Sequence, residues 1–182
     1  GHETTTRLIA NGLYTLLQHP DQFALLQQDP SLMPNAIEEM LRFEPPVQML
    51  GRFPTSNFEF FGRKIKKNQM VLAVIGSANR DPEANENPDV FDITRETVKH
   101  VSFGYGIHLC LGMSLARLEA NVALTAILER FPHMSVAEQE LVWSDLPLVR
   151  GMEHLIIDTH LGSGDFSLDD EVTDVGSTNT AD

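Results

Sequence analysis

The stretch HVSFGYGIHLCLG, His100 to Gly112, constrains this chain more than any other. It holds the only cysteine, Cys110, among the glycines Gly104, Gly106 and Gly112, and it runs straight into a helical pattern. Leu111, Leu115, Leu118 and Val122 recur on one face of a helix expected to reach about Arg130. A lone cysteine excludes an internal disulfide framework and a zinc ribbon. Any chemistry at Cys110 therefore involves a ligand or a partner.

Upstream, the apolar spacing predicts helices over Glu3–Gln18, through QFALLQQ, and from about Asn35 to Phe43, the last ending before Pro45-Pro46. Thr4, Thr5 and Thr6 are poor helix formers, so the first helix opens on a local conflict of the kind that marks function or strain. The segment 51–75 is rich in β-formers, with turn signals at Ser56-Asn57, Gly62 and Lys67-Asn68, and predicts a small antiparallel sheet. Residues 77–99, dense in Asn, Asp and Pro, read as an irregular surface excursion. The expected class is mainly α with a small antiparallel β-sheet.

Composition narrows the function. The longest apolar run, Met70–Ile75, is far short of the ~20 residues a membrane-spanning helix needs. Of the net charge of −13, seven acids from Asp158 onward carry −7, with no Lys or Arg among them. Residues 159–182 are thus expected to form an acidic, disordered tail. A calcium loop there fails, because Asp170 stands where Gly is needed and Gly176 where the closing Glu should be. The acidic balance argues against nucleic acid. The one basic cluster, Arg63–Lys67, reads as a solvated turn.

For Cys110 several uses are open from the residues alone. A helix N-terminus and nearby glycine amides favour an anionic sulfur. That sulfur suits a nucleophile with His108 as base, although side chains two apart at a helix start should diverge. It equally suits an axial thiolate to haem iron. A dinucleotide loop fails because position 109 is Leu, and a small buried hydrophobe is the ordinary fate of a single thiol.

FGYGIHLCLG resembles the haem-binding signature of the cytochrome P450 superfamily in its soluble bacterial form, with Phe103, Gly104, Gly106, His108, Cys110 and Gly112 in the matching places. EEMLR is similar to the family's Glu-x-x-Arg pair, as Glu39 and Arg42. FDITR resembles the segment whose arginine, Arg95, completes a buried structural triad. Alone, Glu39 and Arg42 would suit a surface i,i+3 pair. The opening GHETT resembles the oxygen-activating helix motif, with Glu3 and Thr4 in the acid and hydroxyl places; alone, they would suit a helix cap.

The resemblance implies haem b with its iron held by Cys110, propionate contacts from Arg52, His100 and His108, and proton delivery by Glu3 and Thr4. It also implies substrate contacts from Val47, Gln48, Met49, Leu148 and Val149. The implied activity is dioxygen-dependent hydroxylation of an apolar small molecule, with electrons from a ferredoxin-type or flavoprotein-type donor, in the cytoplasm. It covers Gly1 to Asp158 and matches the family's C-terminal haem-thiolate portion, so a partial fold lacking the N-terminal region, with an exposed apolar face, is expected. An alternative is a non-catalytic haem-binding fragment without a closed substrate pocket. A peroxide-driven variant is disfavoured by the acid–Thr pair.

Overall fold

The computed structural model describes residues 2–160. The expected tail lies outside the described residues from position 161 on. Three helices carry the core: α1 (His2–Gln18), α3 (Met33–Phe43) and α5 (Met113–Arg130), which pack against one another pairwise. The short α2 (Pro20–Gln28) links α1 to α3. Leu8 and Leu16 from α1, Ile37 and Met40 from α3, and Leu124 from α5 are at most 2% exposed within one cluster.

Local chemistry sets the boundaries. Pro20 takes the first position of α2, where a missing N–H costs nothing. The Asp29 side chain accepts from the Ser31 amide at 3.0 Å and starts a one-turn 3₁₀ segment ahead of α3. α3 stops at Phe43, and Pro45 and Pro46 bar its continuation. The four-residue α4 (Ile75–Ala78) follows the strands.

The expected sheet resolves into separate two-stranded antiparallel ladders. β1 (Met49–Arg52) pairs with β4 (Val71–Val74), and between them β2 (Phe58–Phe60) and β3 (Arg63–Ile65) form their own hairpin. A third ladder joins β5 (Ser135–Val136) to β6 (Ile157–Asp158). The hairpin closes on its own tight turn and does not extend β1–β4.

One other expectation changes. The 77–99 segment is not wholly superficial: Asn79, Asn85, Phe91 and Ile93 are all below 5% exposed. Its backbone carbonyls are collected by buried cations, which draws the segment inward. On α5, the buried residues are Ala120, Leu124 and Leu128, while Leu115, Leu118 and Val122 are about 60% exposed. The helix has two apolar faces, and α1 and α3 cover the other one.

Candidate functional site

Cys110 borders a cavity of about 340 Å³. α1 contributes Thr4, Thr5 and Leu8 to its wall, and the end of α3 contributes Leu41. Pro46, Val47, Leu50 and Arg52 come from the segment running into β1, Ser102 to Gly104 and His108 from the cysteine loop, and Ala116 from α5. The wall is mostly apolar, with one thiol and two basic side chains. Its size lies within the ~300–1,000 Å³ usual for small-molecule sites.

The cysteine loop is shaped by its glycines. Gly104 and Gly106 have φ of +75° and +65°, a region L-residues rarely enter. The loop closes on itself where the Cys110 amide donates to the Phe103 carbonyl at 2.9 Å. Cys110 sits just before α5, whose N-cap is Gly112. The Gly104 amide does not serve the sulfur, as it donates to the Val101 carbonyl at 2.8 Å. A 3₁₀ turn at Gly106–His108 precedes Cys110, and both His108 and Cys110 border the cavity.

Asn79 anchors the start of the loop. Its Nδ2 donates to the Leu41 carbonyl at 3.2 Å and to Ser102 Oγ at 2.8 Å, while its Oδ1 accepts from the Val101 amide at 2.8 Å. The 77–99 segment is therefore what fastens the cysteine loop to the end of α3.

Glu39 and Arg42 form a fully buried pair, and Arg95 adds a third member, with Nε 3.0 Å from Glu39 Oε1. Arg42 also donates to the carbonyls of Asn79, Pro88 and Val90, and Arg95 to those of Glu86, Asn87 and Val90. None of the three lines the cavity; they bind the irregular segment to α3.

The remaining candidates divide. Thr4 is on the cavity wall, whereas Glu3 is 62% exposed and pairs with Arg7 at 2.9 Å. Arg52 and His108 border the cavity, and among the described residues neither has an ion-pair partner; Arg52 donates only to the Gly51 carbonyl, at 2.9 Å. His100 does not border it. Its Nε2 lies 2.9 Å from Glu38 Oε2, and its Nδ1 accepts from the Ser102 amide at 3.2 Å. Val47 is on the wall, but Gln48, Met49, Leu148 and Val149 are not. Gln48 donates to the Pro45 carbonyl at 2.7 Å, and the 148–149 segment pairs with residues 47–48 through its backbone.

Sequence reasoning missed Leu50, Leu41, Leu8, Ser102 and Ala116 as wall residues. For Leu50 a signal existed: strand alternation puts it on the same face as Arg52 and turns Met49 away. For Leu8, Leu41 and Ala116 the positions follow from helix packing, and for Ser102 from the fold of the cysteine loop. It also missed Glu38. Burial alone would raise the Glu38 carboxyl, but hydrogen bonds from Arg117 and His100, together with the Arg117 charge, hold it down at about 2. The same pairing raises Arg117.

The donor set fits a haem. Among the described residues no group of three His, Cys, Asp or Glu side chains could hold a metal ion, so a metal at Cys110 would need its further ligands from a prosthetic group. Apolar walls suit a flat macrocycle, and the unpaired Arg52 and His108 suit its carboxylates.

The family model described as cytochrome P450 matches residues 1–148. Among curated relatives, the cytochrome P450 monooxygenase PikC of Streptomyces venezuelae is 49% identical over 160 residues, covering 86% of this chain and 38% of the relative. The 6-deoxyerythronolide B hydroxylase of Saccharopolyspora erythraea is 46% identical, covering 85% and 39%. The solved structure of P450BioI with a hexadec-9Z-enoic acid-ligated acyl carrier protein aligns with a TM-score of 0.82 at 45% identity, over 86% of this chain and 41% of that one. CYP109E1 from Bacillus megaterium in complex with testosterone aligns at 0.86 and 40% identity, over 88% and 45%. The chain spans about two-fifths of the length of the curated relatives it matches.

Proposed function

The chain belongs to the cytochrome P450 family, and on that premise we propose that it supplies the haem-thiolate part of a monooxygenase that hydroxylates an apolar small molecule with dioxygen. Its fold is a partial P450 fold. The observation that carries the reading is the cavity wall, which combines one thiol with two basic side chains free of acidic partners on a mostly apolar surface.

In this reading Cys110 would hold the haem iron as a thiolate, and Arg52 and His108 would pair with the haem propionates. The bound group supplies dioxygen activation; the chain supplies position, polarity and protons. Thr4 borders the cavity and would present its hydroxyl there, while Glu3, its solvent-facing neighbour in sequence, would exchange protons with water. The apolar stretch Leu8, Leu41, Val47 and Leu50 excludes water and favours an apolar guest. Glu39, Arg42 and Arg95 hold the scaffold, and Gly104 and Gly106 permit the turns that bring Cys110 to the wall. Electrons come from a ferredoxin or flavoprotein donor in the cytoplasm. Among the described residues no helix is long and apolar enough to cross a membrane.

The test is the carbon-monoxide difference spectrum of the reduced, haem-loaded chain. A long-wavelength thiolate band is expected, and Cys110→Ser should abolish it. Haem retained without that band would favour the non-catalytic haem-binding reading, for which the exposure of Glu3 speaks. Persistence of the band in the serine variant would overturn the ligand assignment.

A further inference from the structure

Glu38 stands one residue before the triad glutamate, yet its carboxylate faces a different structure. Its Oε1 accepts from Arg117 Nε at 2.5 Å and its Oε2 from Arg117 Nη2 at 2.8 Å, a two-pronged pair that ties α3 to α5. Oε2 also meets His100 Nε2 at 2.9 Å. The Arg117 guanidinium lies over the Phe103 ring, 4.6 Å from its centroid, and the His100 ring stands 6.0 Å from the same ring. Phe103 is thereby held by two side chains that Glu38 itself orients. Its backbone carbonyl then accepts the Cys110 amide.

We propose that Glu38 and Arg117 are positioning residues for the cysteine loop: they fix Phe103, and Phe103 closes the loop on Cys110. Neither borders the cavity, so the effect is exerted through Phe103, which does. The arrangement also gives His100, which does not border the cavity, a task at the loop. Its bearing on catalysis rests on the haem-thiolate reading above, but the clasp itself belongs to the polypeptide.

The test is amide hydrogen exchange at Cys110 in the full chain without haem. Loop amides exchange through local opening, so they report the clasp and not global stability. Glu38→Gln and Arg117→Met should each speed Cys110 exchange by at least ~5-fold, about what one lost hydrogen bond is worth. Arg117→Lys keeps a charge for Glu38 but not the flat stacking on Phe103, and should fall between these variants and the parent. It also serves if Glu38→Gln fails to fold. Leu124→Ala, which hollows the α5 core away from the loop, should leave Cys110 exchange unchanged. Equal acceleration in Leu124→Ala, or none in the Glu38 and Arg117 variants, overturns the proposal. A missing thiolate band in the haem-loaded parent would sink the haem reading and leave the exchange result standing.

Discussion

Arg42 donates to both carboxylate oxygens of Glu39, Nε to Oε2 at 2.7 Å and Nη2 to Oε1 at 2.8 Å, with neither side chain exposed to solvent. The remaining Arg42 donors are met by three carbonyls of the 79–90 segment. A buried charge pair is tolerable only when its other polar positions are filled, and here they are.

Removing one partner should therefore be severe. Arg42→Leu leaves the Glu39 carboxylate buried with only Arg95 and one amide, and is expected to cost ~3–5 kcal/mol of stability. Urea unfolding measures it. Asp89→Asn, which breaks the pair between Arg80 and an aspartate that is 86% exposed, should stay within ~1 kcal/mol. Similar costs for both would mean that the buried pair has no special structural weight.

The loop glycines should rank by geometry. An added Cβ at Gly104 meets both a positive φ and the His108 carbonyl oxygen at 3.3 Å, whereas at Gly106 it meets positive φ alone. Thermal unfolding of haem-free variants should show Gly104→Ala losing the most and Gly106→Ala ~1 kcal/mol. Gly112 has ordinary φ and open space around it, and its alanine variant should match the parent.

Acid stability should carry the mark of Glu38. Its carboxyl is lowered from an ordinary 4.5 to about 2, so the fold favours the charged form. That stabilisation is complete above the ordinary value and is lost as pH falls from about 4.5 toward about 2. Glu38→Gln should flatten this part of the stability profile, read from urea midpoints across that range. An unchanged acid limb would contradict the assignment.

Haem retention should separate the three basic candidates. Arg52→Gln and His108→Gln each remove a basic side chain from the cavity wall and should weaken retention by ~10-fold, about the worth of a hydrogen bond to a charged group. His100→Gln should weaken retention by much less, because His100 faces Glu38 and not the cavity. Haem transfer to a competing apoprotein gives the rates. A full loss with His100→Gln would restore it to the propionate set.

Much of the fold is legible because it is local. Helix stops before the prolines and the glycine turns each depend on residues a few positions apart, and the cysteine loop carries its own closing geometry. The contents of the cavity wall were less legible. Met49 and Leu50 are adjacent and both apolar, and only the strand's pairing register says which one faces inward. α5 offers two apolar faces, and its pattern does not say which of them meets α1 and α3.

By itself the sequence determined the helical segments, the turn positions and the single thiol in a glycine-shaped loop, since these follow from backbone preference and spacing. Only the tertiary structure decided that His100 belongs to Glu38, 62 positions away, and Arg117 to the same carboxylate across 79 positions. A basic side chain's partner is whichever carboxylate the packing brings within about 3 Å of it, and no pattern of neighbouring residues specifies that.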